Sequence, residues 1–440
     1  MLSWTLFDWA AQPFSTIITT FVFAPYFASA LTNTPAEGQS LWGYATAAAG
    51  LLTALSAPLL GAIADATGHR KPWILAFSIP FVIASWMLWY AAPGTPYAVP
   101  IALLAFGIGT LSIEFATVFN NAMMPALVPA NRIGRLSGNG WAVGYAGGLV
   151  SLVIVLGFLA ANPDTGKTLL GMEPLFGLDN STREGDRITG PFSALWYCLF
   201  VLPLFLFTPD LPKSSKLIPA ISTGLDKLWN GLKDLRTNKQ LATFLVAHMA
   251  YKDGLVALVT FGGIYAAGQL GWAPIQVGVF GILLTIIGTV GAVLGGYLDD
   301  HFGAKSILLG ALVLLMIGGC GLVSIDSKTI FFFVEIAPSP GSALFSTVPE
   351  QLFLAFGGLI GLAAGPLQAS SRTLLIKLSP PDQISQSFGL MALSGKATSF
   401  LAPLSVGLIT MVTNSQSAGI SVILTFFIVG GLLLLKTKPD

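Results

Sequence analysis

The sequence predicts an all-α membrane protein of twelve transmembrane helices in two pseudo-symmetric six-helix bundles. Composition, the number of apolar runs and a charged turn that occurs twice carry this prediction. Of 440 residues, 54% are hydrophobic and only 9% charged, with a mean hydropathy of +0.77. Soluble globular chains are about a quarter charged. The length accommodates about twelve spans of ~20 residues joined by short loops. The net charge of +1 gives no electrostatic footprint for nucleic acid.

Apolar runs fall at 9–31, 41–64, 73–92, 98–128, 137–161 and 192–208, then at 240–267, 275–298, 305–324, 351–378, 386–413 and 417–436. Backbone groups in hydrocarbon have no water to bond, so these runs should be helices. Pro13, Pro25, Pro58, Pro125, Pro366 and Pro403 interrupt them, as membrane helices tolerate. The first run is long enough to remain as a span, and without a basic region before it no cleavable signal is expected. Cys198 and Cys320 both lie in apolar runs, so neither a disulfide scaffold nor a thiolate metal site is expected.

The turn after the second run reads Gly61-Ala-Ile-Ala-Asp65-Ala-Thr-Gly68-His-Arg70-Lys71. It recurs as Gly296-Tyr-Leu-Asp-Asp300-His-Phe-Gly303-Ala-Lys305, 235 residues later. Gly, Asp, Gly and a cation keep their spacing, in corresponding places of the two halves. Repetition of this kind marks a duplicated membrane protein. A second echo supports the duplication: Ser137-Gly138, followed by Gly144, opens the fifth span, and Phe388-Gly389, followed by Gly395, opens the eleventh.

The duplication divides the chain into an N-terminal bundle, 1–209, a linker, 210–239, and a C-terminal bundle, 240–440. In the linker Leu217, Ile221, Leu225, Leu228, Leu232 and Leu235 recur at helical spacing, with Lys227, Lys233 and Arg236 elsewhere on the wheel. This is the pattern of an amphipathic helix on a membrane surface. The loop at 162–191 is polar, whereas that at 325–350 contains Phe331, Phe332, Phe333 and Ile336 and is expected against the outer leaflet. With both termini in the cytosol, 14 Lys and Arg lie inside, 4 outside (Lys167, Arg183, Arg187, Lys328) and 3 within spans. The positive-inside rule selects that orientation.

Charged groups inside spans are costly unless paired or hydrated, and so point to function. Glu114 in span 4, Lys252 and Asp253 in span 7, Arg372 in span 10 and Lys396 in span 11 are the candidates. They sum to +1, which suits a zwitterion or an anion. Polar residues accompany them: Asp8, Gln12, Ser15 and Thr19 along one face of an α-helical span 1, Asn121 two turns beyond Glu114, Gln368 and Ser371 beside Arg372, and His248 one turn before Lys252. Two readings stand, a solute-binding cavity and internal bonds that hold helices together. Asp65 and Asp300 end spans 2 and 8, where each carboxylate can meet the positive N-terminal end of a helix. Spans 11 and 5 begin on that side, near Ser385 and Leu136. No HExxH, CxxC, GxSxG or Walker-type pattern occurs, so no metal, no cofactor and no enzymatic or ATP-driven chemistry is expected.

The repeated turn resembles the signature loop of the major facilitator superfamily, which joins spans 2 and 3 and, more weakly, 8 and 9. The opening Asp8-Trp9-Ala-Ala-Gln12-Pro-Phe14-Ser-Thr16 resembles the vacuole-effluxer-like branch. So do Val118-Phe-Asn120-Asn121-Ala, Gly144-Tyr145-Ala-Gly-Gly148, Tyr251-Lys252-Asp253-Gly254, Gln368-Ala-Ser-Ser371-Arg372 and Leu393-Ser-Gly395-Lys396. Asn120 departs from that pattern where an aromatic is usual, and Lys252 where Asn is usual. The resemblance implies that spans 1, 4, 7 and 10 line a cavity, with Gln12, Thr16, Glu114, Asn121, Lys252, Asp253, Gln368, Ser371, Arg372 and Lys396 as candidates for binding substrate or protons. It implies that Gly61, Asp65, Gly68, Arg70, Lys71, Asp300, Gly303 and Lys305 form gating turns.

Secondary active transport of a small polar solute follows, proton-coupled and outward, with amino acids or similar zwitterions implied by the family. The partners expected are a small-molecule substrate, protons and the bilayer; the chain is expected to act as a monomer. The short loops suggest a bacterial inner membrane. A lipid flippase or scramblase on the same scaffold, or a non-transporting sensor, remains as the alternative. Charged groups inside the spans favour the polar solute; a lateral opening with an apolar wall would favour lipid. For topology, single cysteines near Arg70, Arg135 and Lys227 are expected to resist an external impermeant maleimide, while one near Arg183 reacts. External labelling near Lys227 would overturn the orientation.

Overall fold

The computed structural model describes residues 1–163, 165–215, 217–272, 274–336 and 344–438. Among these, twelve helical segments are long and apolar enough to cross a membrane. Spans 1 to 6 are Leu2–Leu31, Pro35–Thr67, Lys71–Tyr90, Ala98–Asn121, Ala130–Leu159 and Glu184–Phe207. Spans 7 to 12 are Lys239–Leu270, Gln276–Phe302, Ala304–Val323, Val348–Leu378, Pro381–Thr413 and Gln416–Leu435. Several begin on side-chain caps: Thr34, Asn238 and Ser415 accept from the first turns of spans 2, 7 and 12. Thr347 and Glu350 form a reciprocal capping box at span 10, satisfying donors that no preceding turn can take.

The chain divides into two compact units, Met1–Val128 with Val143–Lys227, and Pro129–Ala142 with Leu228–Asp440. The opening of span 5 therefore groups with the C-terminal helices. In the first unit, Phe14 packs against Phe81 and Phe106, and the Tyr197 hydroxyl shares a 2.7 Å hydrogen bond with Ser78. Span 1 is wound as π-helix over Phe14–Phe21. There the Thr19 and Thr20 hydroxyls donate to the carbonyls five residues back, of Phe14 and Ser15. The wider turn breaks the α-helical course expected from Asp8 to Thr19. Ser15 is exposed, whereas Gln12 and Thr16 both lie where a Cβ on Gly148 of span 5 would meet them.

In the second unit, Gly357, Gly361 and Gly365 recur every fourth residue of span 10. A Cβ on the first would meet Phe280, on the second Leu284, and on the third Gly288 and Ala292 of span 8. Without lipid-excluding hydrophobic drive, small residues let backbones approach and so supply the packing. Span 11 is discontinuous: helix Ile384–Ala397 ends, and a second helix, Leu401–Thr413, begins after a turn. Pro403 has no N–H for the Ser399 carbonyl and its ring crowds that position, which accounts for the interruption. Between spans 9 and 10 a two-stranded hairpin pairs Thr329 with Glu335. Phe332 and Phe333 at its tip are exposed, while the Phe331 ring meets Phe356 of span 10 at 6.3 Å.

The linker helix runs Leu217–Thr237. Its Ala220 is fully buried against Ile63 and Ala66 at the end of span 2, and a Cβ on Gly224 would meet Ile63. Ile221, Leu225 and Trp229 are exposed at intervals of four, with the Lys233 ammonium 5.4 Å from the Trp229 ring. The side chains of Leu217, Lys227, Leu232, Leu235 and Arg236 lie outside the described residues.

The repeated turns share one backbone requirement. Gly68 and Gly303 both have positive φ, 88° and 83°, a conformation that L side chains resist. At Gly68 a Cβ would also collide with the Pro212 carbonyl and Ser214. Gly68→Ala is therefore expected to cost about 1–3 kcal/mol of backbone strain, read as a lowered thermal midpoint in detergent. Gly107→Ala, where a Cβ meets nothing within 4 Å, should not lower it.

Candidate functional site

The second unit gathers polar side chains from spans 7, 10 and 11 near the middle of span 7. Lys252 Nζ donates to Gln368 Oε1 at 2.9 Å. One residue earlier, the Tyr251 hydroxyl shares a 2.7 Å bond with Ser371 Oγ, which itself donates to the Leu367 carbonyl. One turn before Lys252, His248 Nδ1 and Ser394 Oγ are 2.8 Å apart. Gly395 of span 11 packs beside them: a Cβ there would make ordinary contact, 3.4 Å from His248 and 3.7 Å from Lys252. Lys396 follows it, partly buried. Lys252 and Gln368 are also only partly buried, while His248, Tyr251 and Ser371 are buried. The arrangement is a fixed cation with a displaceable amide partner, set among hydroxyls, inside an apolar helix bundle.

Neighbouring residues on a helix point about 100° apart, and Asp253 occupies a different environment from Lys252. It is 1% exposed, and its Oδ1 has no hydrogen-bond partner among the described residues. The carboxyl lines an apolar cleft with residues of spans 11 and 12.

Arg372, buried, reaches back to the opening of span 5. Its Nε donates to Ser137 Oγ at 3.0 Å and its second terminal nitrogen to the Ser137 carbonyl at 2.8 Å. The guanidinium lies 5.3 Å from the Trp141 ring, and Ser137 Oγ donates in turn to the Ala369 carbonyl. Close approach is again glycine-dependent, since a Cβ on Gly138 would meet Ala292 and Gly296. Asp300 accepts from the Arg135 main-chain N–H at 3.3 Å and from its Nε at 3.0 Å. Asp299 beside it is 1% exposed, with Lys377 at 4.0 Å. Lys305 donates to the Leu435 and Thr437 carbonyls.

The first copy of the turn is closed differently. Arg70 pairs with Asp65 in its own turn and donates to the Ala64 and Gly68 carbonyls at 2.6 and 2.8 Å. Burial lowers the Arg70 pKa below the ordinary guanidinium range, against the pull of Asp65 and Asp210. Asp210 accepts from the Arg70 and Lys71 main-chain N–H groups at 2.8 and 3.0 Å. Lys71 Nζ donates to the Phe205 carbonyl, and Ser214 N–H to Thr67. In the same unit, Asn121 is buried and Glu114 partly buried on span 4, while Gln12 and Thr16 sit against span 5.

Sequence reasoning singled out Lys252, Gln368, Ser371 and Arg372. It did not assign Ser137, Arg135, Trp141 or Ser394 a role, because hydrogen bonds across more than a hundred residues leave no spacing signal. Ser137 stood in the echo at the opening of span 5, and Ser394 in the family-like stretch Leu393-Ser-Gly395-Lys396, the traces available.

The description "vacuole effluxer Atg22 like" matches residues 30–438. The chain belongs to this effluxer-like family. An uncharacterized MFS-type transporter of Bacillus subtilis, YxiO, is 23% identical over all of this chain and 94% of its own length. Autophagy-related protein 22 of Kluyveromyces lactis is 22% identical over 82% of this chain and 71% of its own. Among solved structures, the proton:xylose symporter XylE superposes with a TM-score of 0.69 at 13% identity, covering 99% of this chain and 93% of that one. The fold is that of the major facilitator superfamily, and the protein is an integral-membrane transporter, not an enzyme.

The Arg372–Ser137 contact yields a stability test for the effluxer-like scaffold. A hydrogen bond to a charged group contributes about 1.5–3 kcal/mol, so Ser137→Ala should lower the thermal midpoint in detergent. With Arg372→Gln already present, the same substitution should have a much smaller effect. Additive effects in that cycle would show that the two residues are not coupled.

Proposed function

We propose that this transporter exports an amino acid or similar small zwitterion from the cytosol by alternating access, driven by protons. The observation that carries the reading is the Lys252–Gln368 bond at mid-span. A cation inside a membrane helix is costly, and a neutral amide is one of the groups that hold this one. A substrate carboxylate can replace the amide, because charge-assisted bonds are about twice as strong as neutral ones. Tyr251, Ser371 and His248 are the neighbouring groups available to orient it. Glu114 is the group offered to a substrate ammonium, with Gln12, Thr16 and Asn121 as further polar candidates. Arg372 and Lys396 complete the set of cations.

Outward direction is supported by the family description, and a bacterial inner membrane by the Bacillus relative. The distribution of Lys and Arg supports cytosolic termini. In this reading the two glycine–aspartate turns, with Gly61, Asp65, Gly68, Arg70, Lys71, Asp300, Gly303 and Lys305, act as gates, and the halves 1–209 and 240–440 alternate about the linker as a monomer. Asp300 on the Arg135 amide is the kind of helix-end contact such a gate can make and release.

Asp253 is assigned the coupling proton. It lies near the middle of the helix Lys239–Leu270, and protonation would change its need for a partner. In proteoliposomes loaded for amino-acid counterflow, Asp253→Asn should abolish proton-driven accumulation and leave exchange intact. Glu114→Gln should impair both. Uphill transport by Asp253→Asn with the pH dependence of the unmodified protein would overturn the assignment.

A further inference from the structure

Asp253 does not open onto the Lys252 cluster. The carboxylate forms the floor of a cleft of about 290 Å³, lined by Val246 and Met249 of span 7, Thr398 and Leu401 of span 11 and Val429 of span 12. Val246, Leu401 and Val429 are exposed at its mouth, on the outer surface of the membrane-spanning helices. The lining is largely apolar, with Asp253, Thr398 and Thr425 as its polar residues. Asp253 Oδ1 and Thr398 Oγ1 are both buried and fall short of a well-formed hydrogen bond, while the Thr398 hydroxyl lies close enough to the carboxylate to stabilise its charge. Span 11 is also broken here, between Ala397 and Leu401. Non-helical backbone at membrane depth persists where it is buried in protein or lines a cavity, and discontinuous membrane helices are a recurrent feature of binding sites.

We propose that this cleft binds the head of an amphiphilic primary amine entering from the bilayer. An ammonium carries three donors and no acceptor. Asp253 Oδ1 and Thr398 Oγ1 offer two acceptors, and the carboxylate neutralises the charge in a place where an unpaired ion is costly. The apolar walls at Val246, Leu401 and Val429 take the first part of the alkyl chain. The volume lies near the lower end of small-molecule sites, about 300–1,000 Å³, so the remainder of the chain stays in lipid. An alcohol of the same length could bond to the same atoms without meeting the charge, and a fatty acid would repel it. The chemistry therefore selects the amine.

The proposal extends beyond the export of a polar solute and is tested by binding alone, so its failure leaves that reading standing, and the converse holds. The full chain in phosphatidylcholine nanodiscs is photolabelled with a diazirine-bearing octadecylamine and, separately, with the matching octadecanol. Labelled peptides are then mapped by mass spectrometry. The amine should label segments 246–253, 398–401 and 425–433 at least ten-fold more than the alcohol. Asp253→Asn should reduce amine labelling to the alcohol level, and Thr398→Val should reduce it several-fold. Equal labelling by the two probes in the unmodified protein would overturn the proposal. So would unchanged amine labelling in a monodisperse Asp253→Asn protein, or amine labelling that maps elsewhere. Should Asp253→Asn fail to fold, the amine-to-alcohol ratio and the Thr398→Val protein still decide.

Discussion

The cost of an unsatisfied polar group in hydrocarbon is the constraint on which the rest of this structure depends. It makes every span a helix and leaves packing between helices to small residues. Span 10 shows both consequences at once. Its glycines at 357, 361 and 365 admit span 8, and the same helix then presents Gln368, Ser371 and Arg372, each in a hydrogen bond. Glycines on one side of the helix carry the packing, and the polar groups find partners on spans 7 and 5. Gly138, beside Ser137, repeats that logic against Ala292 and Gly296.

The duplicated turn repeats a geometry rather than a set of contacts. Both copies need positive φ at their second glycine, 88° and 83°, and that alone explains the residue. The aspartates diverge. Asp65 is bonded by Arg70, five residues away in its own turn, while Asp300 is bonded by Arg135 from span 5. The cations diverge as well: Arg70 folds back over its own helix end, whereas Lys305 holds the carbonyls after span 12. Between the halves, Asp210 and Ser214 tie the linker to the first turn, and Ala220 seats the linker helix on the same end of span 2. A movement of the linker would thus act on the turn directly.

Twelve spans and their order were legible in composition and periodicity, because a membrane helix needs about twenty apolar residues and announces itself by length. Their ends were less so. The apolar runs begin several residues late at spans 2, 5 and 6, since caps and first turns there are polar. The π-helical winding at Phe14–Phe21 was invisible, and it ends the α-helical spacing by which the stripe from Asp8 to Thr19 was counted. The binding candidates were visible as charges in apolar runs, but their grouping was not. Lys252 with Gln368, and Arg372 with Ser137, are pairs set by helix packing across 116 and 235 residues. No local pattern encodes such distances.

Adjacency in sequence does not make two charges on a helix a pair. Lys252 and Asp253 are consecutive, and a turn of about 100° per residue points them to different surroundings. The lysine joins spans 10 and 11 in a polar cluster, while the aspartate faces the break in span 11 and the wall of span 12. Gly254 then packs under Phe426 and Phe427, so the aspartate's side of span 7 stays close to span 12. One helix thereby carries a cation in a hydrogen-bonded environment and an anion in an apolar one, separated by a single peptide bond. Rotation or bending of span 7 cannot alter the surroundings of one charge without altering those of the other. Coupling between a solute on the lysine side and a proton or ammonium on the aspartate side requires no longer pathway than that.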